Sequence, residues 1–335
     1  MTFMKTILGT AAAMALTAGA ALADPALIYD LGGKFDKSFN EAAFGGAERW
    51  AKETGGSYKD IEIQSEAQRE QALRRFAEAG FNPVVTTGFA IAGSIDAVAA
   101  DYPDTKFVTI DGWVDPAKHS NVVSILFSEH EGSYLVGMMA GMASKSKTVG
   151  FIGGMDIPLI RKFACGYAQG VMAANPDATV VSNMTGTTPA AWNDPVKGSE
   201  LARAQISQGA DVIYAAAGGT GIGVLQTAAK ENILSVGVDS NQNHMHPGQV
   251  LTSMLKRVDV AVFDSMTAGA DLETGTVKVF GLAEEGVGYA LDEHNAPLVS
   301  DEMKAAVDAA RDQIIAGELK VHDYSSDDSC PVLKF

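Results

Sequence analysis

Two aromatic residues stand where a planar ligand could be gripped. Phe39 follows Asp36-Lys37-Ser38, and Ser38 with Glu41 three residues on has the pattern of a capping box at a helix start. That places the ring at the first helical turn, as a hydrophobic anchor for the helix or as a stacking face. Trp192 precedes Asp194-Pro195, a cap residue followed by a proline at the first turn, so it lies just ahead of a second helix. Stacking a base on an aromatic ring is worth about 1–3 kcal/mol. One such ring from each half of a hinged protein would sandwich a purine.

Carboxylates come next. Asp111 ends the run Lys106–Ile110, and Asp239 ends Ser235–Val238. A strand-end carboxylate accepts two hydrogen bonds at once, which suits a sugar diol or the N–H edge of a base, and equally suits a helix cap. Lys256, after Leu251–Leu255, is placed to donate to a ribose oxygen or to pair with Asp239. Gly218-Gly219-Thr220-Gly221-Ile222-Gly223 resembles a dinucleotide fingerprint, but the spacing fails at Val224. We read that loop as one that lets backbone approach a ligand closely. His244 and His246 have no third or fourth partner at a familiar metal spacing, and we expect no metal and no cofactor. No G-x-S-x-G, H-E-x-x-H or C-x-x-C occurs, which favours a binder over an enzyme.

These residues need a scaffold. After Ala23, short β-branched runs such as Pro83–Thr87 and Lys106–Ile110 alternate with amphipathic segments such as Phe39–Thr54 and Ser65–Ala79. Strict β-α alternation implies parallel sheets buried on both faces. A second series of similar order and length follows Phe127, and Val250–Met254, Lys278–Phe280 and Val287–Ala290 are extra strands able to carry the chain back between halves. The expected architecture is α/β: two doubly wound, Rossmann-like parallel-sheet lobes joined by a multi-strand hinge about a cleft. The lobes are expected at 24–125 plus about 254–285, and at 126–253 plus about 286–335. In such sheets ligands sit beyond the carboxyl ends of the strands. That rule singles out seven loops: 30–40, 87–90, 111–113, 153–156, 186–194, 218–223 and 239–243.

The ends and the composition bound the compartment and the partners. Met1–Lys5 is short and basic, Thr6–Ala18 is apolar, and Ala21-Leu22-Ala23 supplies small residues, together a secretory signal (1–23) with cleavage expected after Ala23. No cysteine lies near that junction, so no lipid anchor is expected there. The chain has 25 Lys and Arg against 41 Asp and Glu, a net charge of −16, which argues against nucleic acid as a partner and leaves a neutral nucleoside open. Cys165 and Cys330 either pair in an oxidising compartment or remain two thiols; spacing alone does not decide.

Four segments converge on one family: Asp36-Lys37-Ser38-Phe39-Asn40, Val149–Met155, Asn193-Asp194-Pro195-x-Lys197-Gly198 and Gly237-Val238-Asp239. From Ala26 to about Ile315 the chain resembles the basic-membrane-protein (PnrA-like) family of substrate-binding proteins of ABC transporters. That resemblance implies the type I periplasmic binding protein fold, a purine nucleoside as ligand, permease subunits in the inner membrane as partners, and a monomer in the periplasm. It implies stacking roles for Phe39 and for Trp192, at a position usually filled by Phe. It implies base contacts for Asn40 and Asp111, and ribose contacts for Asp239, Lys256 and the Gly218–Gly219 backbone. Other readings are a purine nucleobase or sugar binder, a ligand-sensing module, or an exported nucleoside hydrolase.

Overall fold

The computed structural model describes residues 23–335; the expected signal segment, up to residue 22, lies outside them. The first part alternates β1 (Ala26–Tyr29), α1 (Phe39–Thr54), β2 (Lys59–Glu62), α2 (Gln68–Glu78), β3 (Val84–Thr87), α3 (Ala92–Val98), β4 (Phe107–Ile110) and β5 (Val122–Phe127). The second repeats the scheme with α4 (Glu129–Ala143), β6 (Thr148–Met155), α5 (Pro158–Ala174), β7 (Thr179–Gly186), α6 (Pro195–Ser207), β8 (Val212–Ala216), α7 (Thr220–Lys230), β9 (Leu234–Asp239) and β10 (Val250–Lys256). The chain ends with α8 (Val258–Ala268), β11 (Thr276–Phe280), β12 (Val287–Tyr289) and α9 (Asp301–Ile315).

The strands form two six-stranded sheets, ordered β11-β5-β4-β3-β1-β2 and β12-β10-β9-β8-β6-β7. All pairings are parallel except that of β10 with β12. Val84–Thr87 and Phe107–Ile110 are buried at every position, the continuous burial that parallel strands between two helical layers require. The expected pair of doubly wound lobes is present. Each sheet reverses its winding once, between β1 and β3 and between β6 and β8, and these are the switch points where such sheets leave a crevice. The chain passes from one sheet to the other after Phe127, after Lys256 and after Phe280.

Helix packing in the second lobe depends on missing side chains. A Cβ on Gly137 would lie 2.2 Å from the carbonyl oxygen of Tyr167, and one on Gly170 would lie 2.0 Å from that of Tyr134. Glycine at both sites lets α4 and α5 meet backbone to backbone. Cys165, fully buried on α5, is bonded to Cys330, with Cα atoms 5.7 Å apart, so the C-terminal segment is stapled across this helix.

Candidate ligand-binding cleft

The loop after β1 is organised by acids that are themselves satisfied. Asp30 is held by a bidentate contact from Arg69, at 2.8 and 3.1 Å. Asp36 accepts backbone N–H groups of Ser38 (2.8 Å), Asn40 (3.0 Å) and Glu41 (3.1 Å), and so caps α1 itself. The expected capping box between Ser38 and Glu41 does not form. One carboxylate already serves three amides, which frees the Ser38 hydroxyl to donate across the cleft to Asp239 and leaves Glu41 to accept from Lys37. Burial pushes the Asp36 carboxyl up to about 6 despite these bonds. Asn40 lines the cleft, but its amide is committed: Nδ2 donates to the carbonyls of Asp30 and Gly33, both at 3.1 Å, and Oδ1 accepts from Thr87 at 2.8 Å.

The opposing jaw is built on a glycine. Trp192 ends a 3-10 turn at Pro189–Trp192, and the Asp194 carboxylate accepts from Lys197 N at 2.9 Å, the cap read from the sequence. The indole lies flat over Gly154, where a Cβ would fall 2.1 Å from Cζ3 and 2.4 Å from Cε3. Gly218 (φ +54) passes under Trp192 and lines the cavity. Gly219 stands just before α7 and does not line it, while Gly223 lets α7 approach α6, since a Cβ there would lie 1.9 Å from the Pro195 oxygen. Within the glycine run, then, Gly223 answers to helix packing and Gly218 faces the cavity.

At the inner end, charges gather. Asp111 and Asp239, at the ends of β4 and β9, both have left-handed backbone, φ +71 and +61, a conformation Asp tolerates better than most residues. Lys256, almost wholly buried, contacts Asp111 Oδ2 at 2.6 Å and Glu129 Oε1 at 2.8 Å, so of the two roles open to it the ion pair forms with these acids and not with Asp239. Burial alone would lower its ammonium, but the carboxylates of Asp111, Glu129 and Asp239 outweigh burial and hold it above the usual lysine range. Burial pushes Asp111 and Asp239 up to about 6, against the opposing pull of Lys256. Asp111 Oδ1 is buried without a partner.

These groups enclose one cavity of about 90 Å³. At the 10–15 Å³ a water needs, it holds roughly six to nine waters, about 200–300 Å³ of liquid and close to one small heterocycle with a sugar. Phe39, Asn40, Asp111, Trp192, Gly218, Asp239 and Lys256 all line it. So do residues that sequence reasoning did not name individually. Phe89 lies in the 87–90 loop that the strand-end rule singles out, whereas Leu159, Ile160 and Phe163 stand on α5 and read as ordinary helical core. The lobes touch at its rim: Ser240 Oγ donates to the Ser38 carbonyl at 2.8 Å, and Gln242 Nε2 to that of Lys37 at 2.9 Å. No cluster of three or more potential metal ligands occurs among the described residues.

Comparison with known proteins adds a family to this geometry. Residues 26–325 match the family described as ABC transporter substrate-binding protein PnrA-like. A curated relative from Listeria innocua, a "CD4+ T-cell-stimulating antigen", is 33% identical over 88% of this chain and 87% of its own length. The "ABC transporter nucleoside-binding protein BmpA" of Lactococcus lactis subsp. cremoris is 30% identical over 88% of each. Among solved structures, an ABC transporter solute-binding protein from Aeropyrum pernix aligns with a TM-score of 0.80 at 28% identity, covering 89% of this chain and 92% of that one.

Proposed function

Since the chain belongs to the PnrA-like family of ABC transporter substrate-binding proteins, we propose that it captures a purine nucleoside between its lobes and delivers it to a membrane permease. The observation that carries this reading is the pairing, in one cavity, of an aromatic ring from each lobe with a charged end of two carboxylates and a lysine. Phe39 and Trp192 suit the two faces of a base. The unpartnered Asp111 Oδ1, Asp239 and the remaining N–H of Lys256 suit the hydroxyls of a ribose, which both donate and accept. Asp111 thus moves from the base end to the ribose end of the reading, because Lys256 binds it directly. Asn40, whose amide is spent on the loop, shapes the pocket rather than addressing the base.

The charge balance favours a neutral ligand. Lys256 is the one cation among the lining residues and is shared by two acids, and Arg69 nearby is spent on Asp30, so no free cation waits there for a phosphate. Capture proceeds by hinge closure, since the ligand gains contacts to both lobes only when they meet. The Cys165–Cys330 disulfide supports an oxidising compartment, and with the expected signal we read the protein as periplasmic. Some relatives are named as lipoproteins, among them an "Uncharacterized lipoprotein" of Pyrococcus abyssi. The test is calorimetric titration of refolded, ligand-stripped protein with adenosine, guanosine, inosine, adenine and ribose. Saturable binding of a nucleoside, well above that of its base or ribose, is expected; heat from none of the five overturns the nucleoside reading.

A further inference from the structure

Behind the cavity wall runs a line of alternating charges. Asp111 meets Lys256 at 2.6 Å, Lys256 meets Glu129 at 2.8 Å, Glu129 meets Lys162 at 2.9 Å, and Lys162 lies 3.8 Å from Asp323. Side-chain exposure along it is 7, 1, 1, 12 and 33%, so the line leads from the cavity outward to the surface beneath the C-terminal segment. Glu129 does not line the cavity. It opens α4 just past the first crossing between sheets, and Lys256 ends β10 at the second, so two of these charges sit at the hinge itself.

The outer end is fixed. Lys162 also donates to the Phe127 carbonyl at 2.8 Å, and Cys165 stands one turn further along α5. The segment bearing Asp323 is held by the disulfide, by Gln169 and His322, which exchange bonds of 3.0 and 2.8 Å, and by Arg161 on the Tyr324 hydroxyl at 2.9 Å.

We propose that Glu129 is a positioning residue for ligand binding: braced by Lys162, it fixes the Lys256 ammonium so that one N–H engages Asp111 and another remains for the ligand. An ammonium has three N–H groups and no acceptor. Asp111 takes one in a hydrogen bond of 2.6 Å. Glu129 Oε1, 2.8 Å away, holds the charge as an ion contact outside hydrogen-bonding geometry. Donor capacity therefore remains without a partner among the described residues, and the ammonium stands 5.1 Å from the centre of the Phe39 ring at the cavity wall. Without Glu129, Lys256 is drawn toward Asp111 and Asp239, and both carboxylates become lysine partners instead of ligand acceptors. The inference rests on the nucleoside reading for its ligand and on the ion line alone for its geometry.

The test has two arms, each on the full mature chain carrying Glu129→Gln. In the ligand-free protein, carboxyl-carbon NMR follows the titration of Asp111 and Asp239. Glu129 raises both, so their midpoints should fall from about 6 in the variant. In calorimetry, inosine affinity at pH 7.5 should drop at least fivefold, with its acid limb moved to lower pH, and Glu129→Asp should restore part of it. A helix merely loosened at its start would weaken binding without lowering the midpoints. Unmoved midpoints together with unchanged affinity overturn the proposal. Wild-type protein that binds no nucleoside refutes the functional reading, while the NMR arm still rules on the positioning. If Glu129→Gln alone does not fold, the double variant Glu129→Gln with Lys162→Met removes the pair together and carries the same expectation.

Discussion

Trp192 offers the most direct test of the cleft. In Trp192→Ala the indole that covers Gly154 disappears and the jaw on the second lobe loses its flat face. If the ring stacks on a base, about 1–3 kcal/mol of binding goes with it, a rise in Kd of about 5- to 150-fold at 1.4 kcal/mol per tenfold. Gly154→Ala approaches the same ring from behind. The new Cβ would meet Cζ3, Cε3 and Cη2 at 2.1, 2.4 and 2.8 Å, closer than carbon atoms tolerate, so the indole must leave its present place. Removing the ring and displacing it should therefore both weaken inosine. Calorimetry gives the affinities, and thermal melts of ligand-free protein separate loss of binding from loss of fold. Melts within a few degrees of wild type with Kd unchanged in both variants would refute the sandwich.

Four further outcomes follow from the charged end and the staple. Asp239→Asn keeps the acceptor from Ser38 but removes a charge, and should cost a nucleoside at least tenfold while leaving adenine nearly unaffected; equal losses for both would retire the ribose assignment. Affinity should fall between pH 7 and pH 5, because Asp111 and Asp239 titrate near 6 and bind ligand donors when ionised, by about tenfold for each carboxylate the ligand needs. The carboxyls' part of the ligand-free stability should move the other way. Carboxyls raised by burial bind protons more tightly folded than unfolded, so their contribution is present at low pH and lost as pH rises through about 6, against the opposite trend of His130 and His246, which burial holds below the usual imidazole range; if Asp239→Asn leaves the change in melting midpoint between pH 5 and pH 7 the same as in wild type, this is contradicted. Reducing Cys165–Cys330, which closes a separation of 165 residues, should lower unfolding stability by about 2–4 kcal/mol in denaturant titrations.

What was legible in the sequence depended on distance along the chain. Strands such as Val84–Thr87 announce themselves by β-branched runs, and helix starts such as Asp194-Pro195 by local cap chemistry, so the alternation and the two sheets could be read directly. The strand-end rule then led to Asp111, Asp239 and the 87–90 loop, because a parallel sheet delivers its strand ends to one edge whatever follows. Local patterns misled where a competitor lay nearby. Ser38 and Glu41 form a valid capping pattern, but Asp36, two residues earlier, outcompetes both with two carboxylate oxygens. In the glycine run, Gly218 lines the cavity, whereas the requirement for Gly223 comes from α6 at Pro195, 28 positions away, which no local pattern shows.

Glu129 left no mark of this kind, and the reason is physical. An acid in the first turn of a helix is ordinarily explained by the helix dipole, so Glu129 ahead of Glu131 asks for nothing more. Lys162 likewise reads as a solvated charge beside Arg161 in the first turns of α5. Their meaning depends on Lys256, at the far end of a strand more than ninety residues further on, and on burial that brings all three out of water. Charges that deep persist only when paired, since an isolated one would surrender its proton. Lys256 and Lys162 hold the Glu129 carboxyl below the usual carboxylate range against burial that would raise it, so the glutamate stays an anion while Asp111 and Asp239 titrate. Such an anion behind a cleft whose own carboxyls titrate near 6 gives the lysine a fixed support that their protonation does not remove. That separation of roles, one acid for holding and two for binding, is what lets pH alter the grip on a ligand without releasing the ammonium that helps to form it.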